Sequence, residues 1–161
     1  ILFVLISLQN YCFAENKIAY VDLDYILSNT NVGKKILNNL KKKENLKFEE
    51  LNTEEKNLKN EENKILASKN IISNDEYKKK VENFKKKIGD FKLSKKKEID
   101  NLQKNRNSEI TNLINSINSI IEKYMLENSI SIILDKKNVY IADKNYDITN
   151  NLIELINKSI K

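Results

Sequence analysis

The chain of 161 residues has no histidine, no tryptophan and no proline, one cysteine and only two glycines, Gly33 and Gly89. Without histidine, and with Cys12 set close to the N-terminus, there is no material for a Ser-His-Asp or Cys-His nucleophile or for a soft-metal cluster. No glycine-rich loop can cradle phosphates, because the two glycines stand alone. Paired acids such as Glu49-Glu50, Glu54-Glu55 and Glu61-Glu62 sit among lysines on a solvated stretch, with no pocket to raise a carboxyl pKa. These absences argue against an enzyme and imply neither cofactor nor metal. The lack of proline and near lack of glycine removes the usual helix breakers. Lysine, asparagine and isoleucine share AT-rich codons, so their abundance alone is weak ground. Where the charges sit is stronger, since codon bias does not arrange them.

Residues 1–14 carry no charge, and Ile1 to Leu8 is almost wholly apolar. Cys12-Phe13-Ala14 offers small residues at the −3 and −1 positions of a cleavage site before Glu15. This stretch reads as the apolar region and cleavage site of a signal peptide whose basic n-region is missing from the sequence. It is well short of the ~20 residues of a membrane-spanning helix. Asn10-Tyr11 before Cys12 also lacks the small residues of a lipoprotein signal. Cleavage leaves a chain without cysteine, held by packing or assembly rather than by disulfides.

Ile18-Ala19-Tyr20-Val21 is apolar without alternation, as in a strand buried on both faces. Asp22 to Val32 turns helical, with Gly33 as a joint. From about 34 to 69 the pattern is one helix. Leu37, Leu51, Leu58 and Ile65 fall on a seven-residue spacing, Glu44 fills the gap, and Leu40 adds a second position. Ser73-Asn74-Asp75-Glu76 has the chemistry of a helix start, so the chain reverses at a tip near 70–74. A second helix runs from about 75 to 128. Its seam of Val81, Phe84, Ile88, Phe91, Ile99, Leu102, Arg106, Ile110, Leu113, Ile117, Ile120 and Tyr124 advances mostly by threes and fours. A short tip makes the two helices antiparallel neighbours, so residues 36–124 read as a helical-hairpin arm. Lys95 and Arg106 interrupt the seam, and Gly89 costs about 1 kcal/mol relative to alanine inside a helix. Such an arm should bend.

Beyond Asn128, Ile130 to Leu134 and Val139 to Ala142 are β-type runs joined by the turn-forming Asp135-Lys136-Lys137-Asn138. Asp147-Ile148-Thr149 then opens a last helix with Leu152, Ile153, Leu155, Ile156 and Ile160 on one face. The fold class is α+β and predominantly α: a long arm projecting from a small β-containing body made of residues 15–35 and 125–161. So small a body lies near the lower limit for a self-sufficient core, and its strand edges need covering. Oligomerisation is the cheapest remedy. Ile18, Tyr20 and Val21, with Ile130, Ile132, Ile133 and Leu134 and with Val139, Tyr140 and Ile141, are the expected assembly residues.

Charge is unevenly spread. Residues 34–97 carry a net charge of +9 and the rest −3, within a total of +6. Lys41, Lys42 and Lys43, then Lys78, Lys79 and Lys80, then Lys85, Lys86 and Lys87 concentrate positive potential along the arm, and Lys95 to Lys97 add to it. Such a field draws anionic partners and weakens with salt. Phe84 and Phe91 beside these runs read as exposed apolar spots for weak, interchangeable contacts. Nucleic acid is an unsuitable partner, because there is one arginine and no interleaving of aromatics for stacking.

The order strand, long arm, strand pair, final helix resembles the Skp/OmpH family of periplasmic chaperones. The likeness rests on Lys17-Ile18-Ala19-Tyr20-Val21-Asp22, on Ser129-Ile130-Ser131-Ile132-Ile133-Leu134-Asp135 with Val139-Tyr140-Ile141, and on Asp147-Ile148-Thr149 followed by Leu152 and Leu155. It spans residues 17–161, with the arm alike in pattern more than in residues. The resemblance implies a homotrimer in the periplasm. Its arms would hold unfolded outer-membrane proteins in a cavity without ATP, with anionic lipid or lipopolysaccharide as a secondary partner. The competing expectation is a structural, tethering coiled coil of the cell envelope.

Overall fold

The computed structural model describes residues 17–160, so the expected leader at 1–14 lies outside the described residues. Six elements follow in order: β1 (Lys17–Val21), α1 (Leu23–Asn29), α2 (Asn31–Ser68), α3 (Asn74–Glu127), β2 (Ile130–Asp135) and α4 (Thr149–Ser159). β1 and β2 pair in parallel, from Ile18 opposite Ile132 to Val21 opposite Asp135. A parallel pair needs a crossover between its strands. Here the crossover is everything from α1 to α3.

The second expected strand does not form. Asp135 Oδ1 accepts from Lys137 N at 3.0 Å and fixes a single 3-10 turn at Lys136–Asn138. Asp143 Oδ1 accepts from Asn145 N at 2.9 Å and fixes another at Lys144–Tyr146. These turns carry the chain round to the far side of β1, where Ile148 N donates to the Tyr20 carbonyl at 3.1 Å and Asp147 bridges Tyr20. β1 is therefore flanked by β2 on one side and Asp147 on the other. Val139 to Ala142, strung between the two turns, finds no ladder partner among the described residues. The paired strands read from Val139, Tyr140 and Ile141 are thus corrected to an irregular segment, with Tyr140 102% and Ile141 84% exposed.

Both chain ends build one core with the root of α3. Val21, Ile26, Leu113, Ile117, Leu152 and Ile156 are buried together, and Ile36, Tyr124, Ile133 and Ile148 pack against them. Leu152 and Ile156 stand one turn apart on α4, so a single stripe of that helix is buried. α1 gives way to α2 at Thr30, whose extended backbone (φ −74°, ψ 151°) breaks the helix without proline or glycine. Its fully buried hydroxyl accepts from Gly33 N at 3.2 Å and caps α2. Gly33 is less a joint than a point of close approach. A β-carbon there would lie 1.8 Å from the Leu27 carbonyl oxygen.

α2 and α3 lie side by side in opposite senses, because partner numbers fall in α3 as they rise in α2: Glu44 with Arg106, Glu55 with Lys95, Glu61 with Lys87. Ser73 Oγ accepts from Glu76 N at 3.3 Å at the start of α3, and Asp75 and Glu76 occupy its first turn. Along the helical pair Leu40, Leu51 and Phe91 are buried, while Leu58, Ile65, Phe84 and Ile88 are half-buried. The packing there is thinner than in the body.

The two glycines make opposite predictions. Gly33→Ala should destabilise the fold by about 1–3 kcal/mol, the usual cost of overpacking. Gly89→Ala, with nothing within 4 Å of the new methyl, should stabilise α3 by up to about 1 kcal/mol. Urea denaturation followed by helical circular dichroism measures both, and a neutral Gly33→Ala would refute the close approach.

Candidate binding surfaces

The body is tied by a polar knot at the motif Asp147-Ile148-Thr149. Thr149 Oγ1, buried, accepts from Asp22 N at 2.9 Å, and both its backbone N and its hydroxyl donate to Asp147 Oδ1. Asp22 Oδ1 accepts from Tyr25 N at 2.9 Å and so caps α1. Lys136 Nζ stands 3.8 Å from carboxylate oxygens of both Asp22 and Asp147. Lys137 pairs with Asp24 at 2.9 Å, and that hydrogen-bonded carboxylate holds its pKa above the usual lysine value. The hydrogen bond between Asp22 and Thr149 joins the two ends of the body.

Beside the knot lies a recess of about 810 Å³, lined by Ile18, Tyr20, Tyr124, Ile130, Leu134 and Tyr146 with Val139 and Ile141 at the irregular segment. Most of the expected assembly residues therefore come together. Ile132 is also exposed, beyond the lining. Val21 and Ile133 do not join this surface, since they face the body's own core. Tyr20 is buried, although it contributes to the wall.

The lysine runs of the helical pair are exposed apart from Lys95, which is half-buried. Among the described residues, Lys80 has Glu76 and Lys87 has Glu61 within ion-pair distance. Among the described residues, Lys41, Lys42, Lys43, Lys78, Lys79, Lys85 and Lys86 have no carboxylate within ion-pair distance. The aromatic spots need correction. Phe91 is only 8% exposed and Phe84 half-buried, because both lie on the stripe of α3 that faces α2. The apolar side chains that α2 and α3 do offer to solvent include Leu46, Phe48, Leu66 and Leu93, with Ile71 at the tip. Their signal in the sequence was negative: each falls off the three-four stripe.

The seam interruptions have partners. Arg106, where the α3 stripe lapses, meets Glu44, where the α2 stripe lapses, at 3.2 Å. Lys95 reaches Glu55 at 2.8 Å and lies 5.7 Å from the centre of the Phe91 ring. Among the described residues no cluster of potential ligands could hold a metal ion, and no helix is long and apolar enough to cross a membrane.

These features define a largely helical α+β protein with a small two-stranded sheet and surfaces suited to binding. A sequence model of the family described as "Outer membrane protein (OmpH-like)" matches residues 17–156, and the chain belongs to that family. Its fold is similar to the crystal structure of an OmpH-like protein from Caulobacter crescentus CB15 described as an outer membrane chaperone. The TM-score is 0.83 at 19% identity, covering 91% of this chain and 86% of that one. Among curated proteins none matches the chain.

The paired lapses predict a modest, recoverable cost. Either Glu44→Leu or Arg106→Leu alone should lose up to about 1 kcal/mol, as for other partly exposed ion pairs. The double substitution should be at least as stable as the parent, since apolar side chains replace a pair that is costly to desolvate. A double-mutant cycle in urea reads the coupling, and strictly additive losses would show that the two groups do not interact.

Proposed function

We propose that the protein is an ATP-independent holdase chaperone of the periplasm. It is exported by a cleaved leader at residues 1–14 and assembles as a homotrimer. Antiparallel hairpin arms project from the trimeric body, enclose unfolded outer-membrane proteins and prevent their aggregation. The observation that carries this reading is the pairing of unneutralised lysines with scattered exposed apolar side chains on α2 and α3. Lysines raise the rate of encounter with acidic clients. Isolated apolar contacts then hold them weakly enough to release. Membership of the OmpH-like family supports a chaperone role.

The trimer is supported by the recess beside β1 and β2. Ile18, Ile132, Leu134, Tyr140 and Ile141 are exposed around a body whose own core is small. Burying such a surface against other copies gains roughly 25 cal/mol per Å². The tethering alternative expects a regular apolar seam and no need for the strands, whereas charged residues interrupt this seam and the strands close the body. Anionic lipid or lipopolysaccharide fits the same lysines as a secondary partner.

Purified protein lacking residues 1–14 should delay aggregation of a denatured outer-membrane β-barrel protein with no nucleotide present. Turbidity unchanged at a several-fold molar excess of trimer would refute the holdase. Its mass in solution should be that of three copies. Ile18→Asp with Ile141→Asp should break the assembly, while a tethering coiled coil would keep its oligomeric state.

A further inference from the structure

The helical pair has two unlike faces, and their difference names the side that holds a client. One residue turns a helix by about 100°, so a position just after a seam residue lies on one flank and a position four before it lies about 40° towards the other. In two antiparallel helices like offsets share a face, because the two-fold axis relating them is perpendicular to the pair. The ion pairs obey this rule. Glu61 and Lys87 stand four places before Ile65 and Phe91 and meet at 2.7 Å. Lys47 and Glu98 stand four before Leu51 and Leu102 and approach to 3.8 Å. That flank also carries Glu50, Glu54 and Glu109, so much of its charge is balanced within the chain.

The opposite flank is different. Lys41, Lys59 and Leu66 each follow a seam residue of α2 (Leu40, Leu58, Ile65) by one place. Lys85, Lys92 and Lys96 do the same after Phe84, Phe91 and Lys95 of α3. Of the carboxylates on this side, Glu55 and Glu62 are engaged by Lys95 and Lys59, and Glu82, one place after Val81, is exposed. Among the described residues, Lys41, Lys85, Lys92 and Lys96 have no recorded acidic partner. Phe48, four places after Glu44, and Ile99, four after Lys95, fall on the same flank and are 45% and 40% exposed. Leu66 adds a 57% exposed site near the tip. Phe48 and Leu66 are 18 residues apart, five full turns or about 27 Å along one line of the helix.

We propose that this flank, with Phe48, Ile99 and Leu66 as apolar footholds between Lys41, Lys85, Lys92 and Lys96, is the face that binds an extended, unfolded polypeptide rich in acidic residues. This rests on the chaperone reading and adds the side on which it operates. Footholds about 27 Å apart suit a chain that is not compact. Unpaired lysines between them match carboxylates flanking its apolar side chains. The opposite flank has Leu46 in a shallow recess lined also by Lys42, Lys43 and Glu109, a single apolar foothold rather than a spaced line of them.

The test compares two variants of equal net charge in the full assembled protein. One carries Lys41→Gln, Lys85→Gln, Lys92→Gln and Lys96→Gln. The control carries Lys43→Gln, Lys64→Gln, Lys79→Gln and Lys86→Gln, equally exposed and equally without recorded acidic partners, on the other flank and the outer edge. Binding to a urea-denatured acidic β-barrel protein is read by fluorescence anisotropy at low salt. The first set should weaken binding at least tenfold and the control no more than twofold. Phe48→Ser should weaken it at high salt as well, where the lysines are screened. Equal losses in the two sets, or no loss in either, would overturn the choice of face while leaving the chaperone reading intact. No binding by the unsubstituted protein would overturn both.

Discussion

The fold depends on bringing two distant stretches of chain into parallel register, β1 at one end and β2 near the other. A parallel pair cannot be closed by a tight turn, so its crossover must leave the sheet and return. In this chain the crossover is the long helical excursion itself. α3 brings Leu113 and Ile117 into the same core as Val21 and Ile26 before the chain enters β2. Body and helices are therefore not separable modules. The strand register fixes where the helical pair begins, and the hydrogen bond from Asp22 N to Thr149 Oγ1, across 127 positions, holds α4 against both ends. A buried hydroxyl that both accepts and donates leaves no unpaired group behind, which is why so short a motif can close the body.

Stability is graded along the molecule. In the body several aliphatic side chains are wholly buried, and each contributes about 1.5–3 kcal/mol of transfer free energy. Along α2 and α3 the buried layers thin to Leu40, Leu51 and Phe91, separated by the ionic layers of Glu44 with Arg106 and Glu55 with Lys95. Partly exposed pairs of this kind add a few tenths of a kcal/mol and set alignment more than strength. They keep antiparallel neighbours in register while leaving the pair soft, and they make that softness dependent on salt.

Much of this was legible in the residues. The three-four period marked α2 and α3 to within a few positions, Ser73 marked the start of α3, and Asp147-Ile148-Thr149 marked α4. These signals are local, and local chemistry decides them. What the residues hid was set by distant partners. Val139 to Ala142 has the composition of a strand, yet β1 already takes β2 on one side and Asp147 on the other. Thr30 breaks a helix with no proline or glycine because its buried hydroxyl caps the next one. Phe84 and Phe91 were both seam residues and candidate exposed contacts, and only the approach of α2 decides between those roles. Glu44 and Arg106 looked like two separate faults until their opposition made them one pair.

The exposed apolar residues fall into two geometries, and the difference separates what each can bind. Around the recess beside the sheet, Ile18, Ile130, Leu134 and Ile141 converge on a concave wall. A folded surface of matching shape can cover such a wall at once, with the large, well-packed burial that stable self-association requires. On α2 and α3 the exposed side chains are single and widely spaced, with lysines between them. No compact partner covers such a line without burying unpaired ammonium groups, a cost its few contacts cannot offset. An extended chain avoids that cost, since it touches each foothold in turn and leaves the charges hydrated. The same sequence thus separates a surface suited to shape-matched contact at the body from one suited to shape-tolerant contact along the helices.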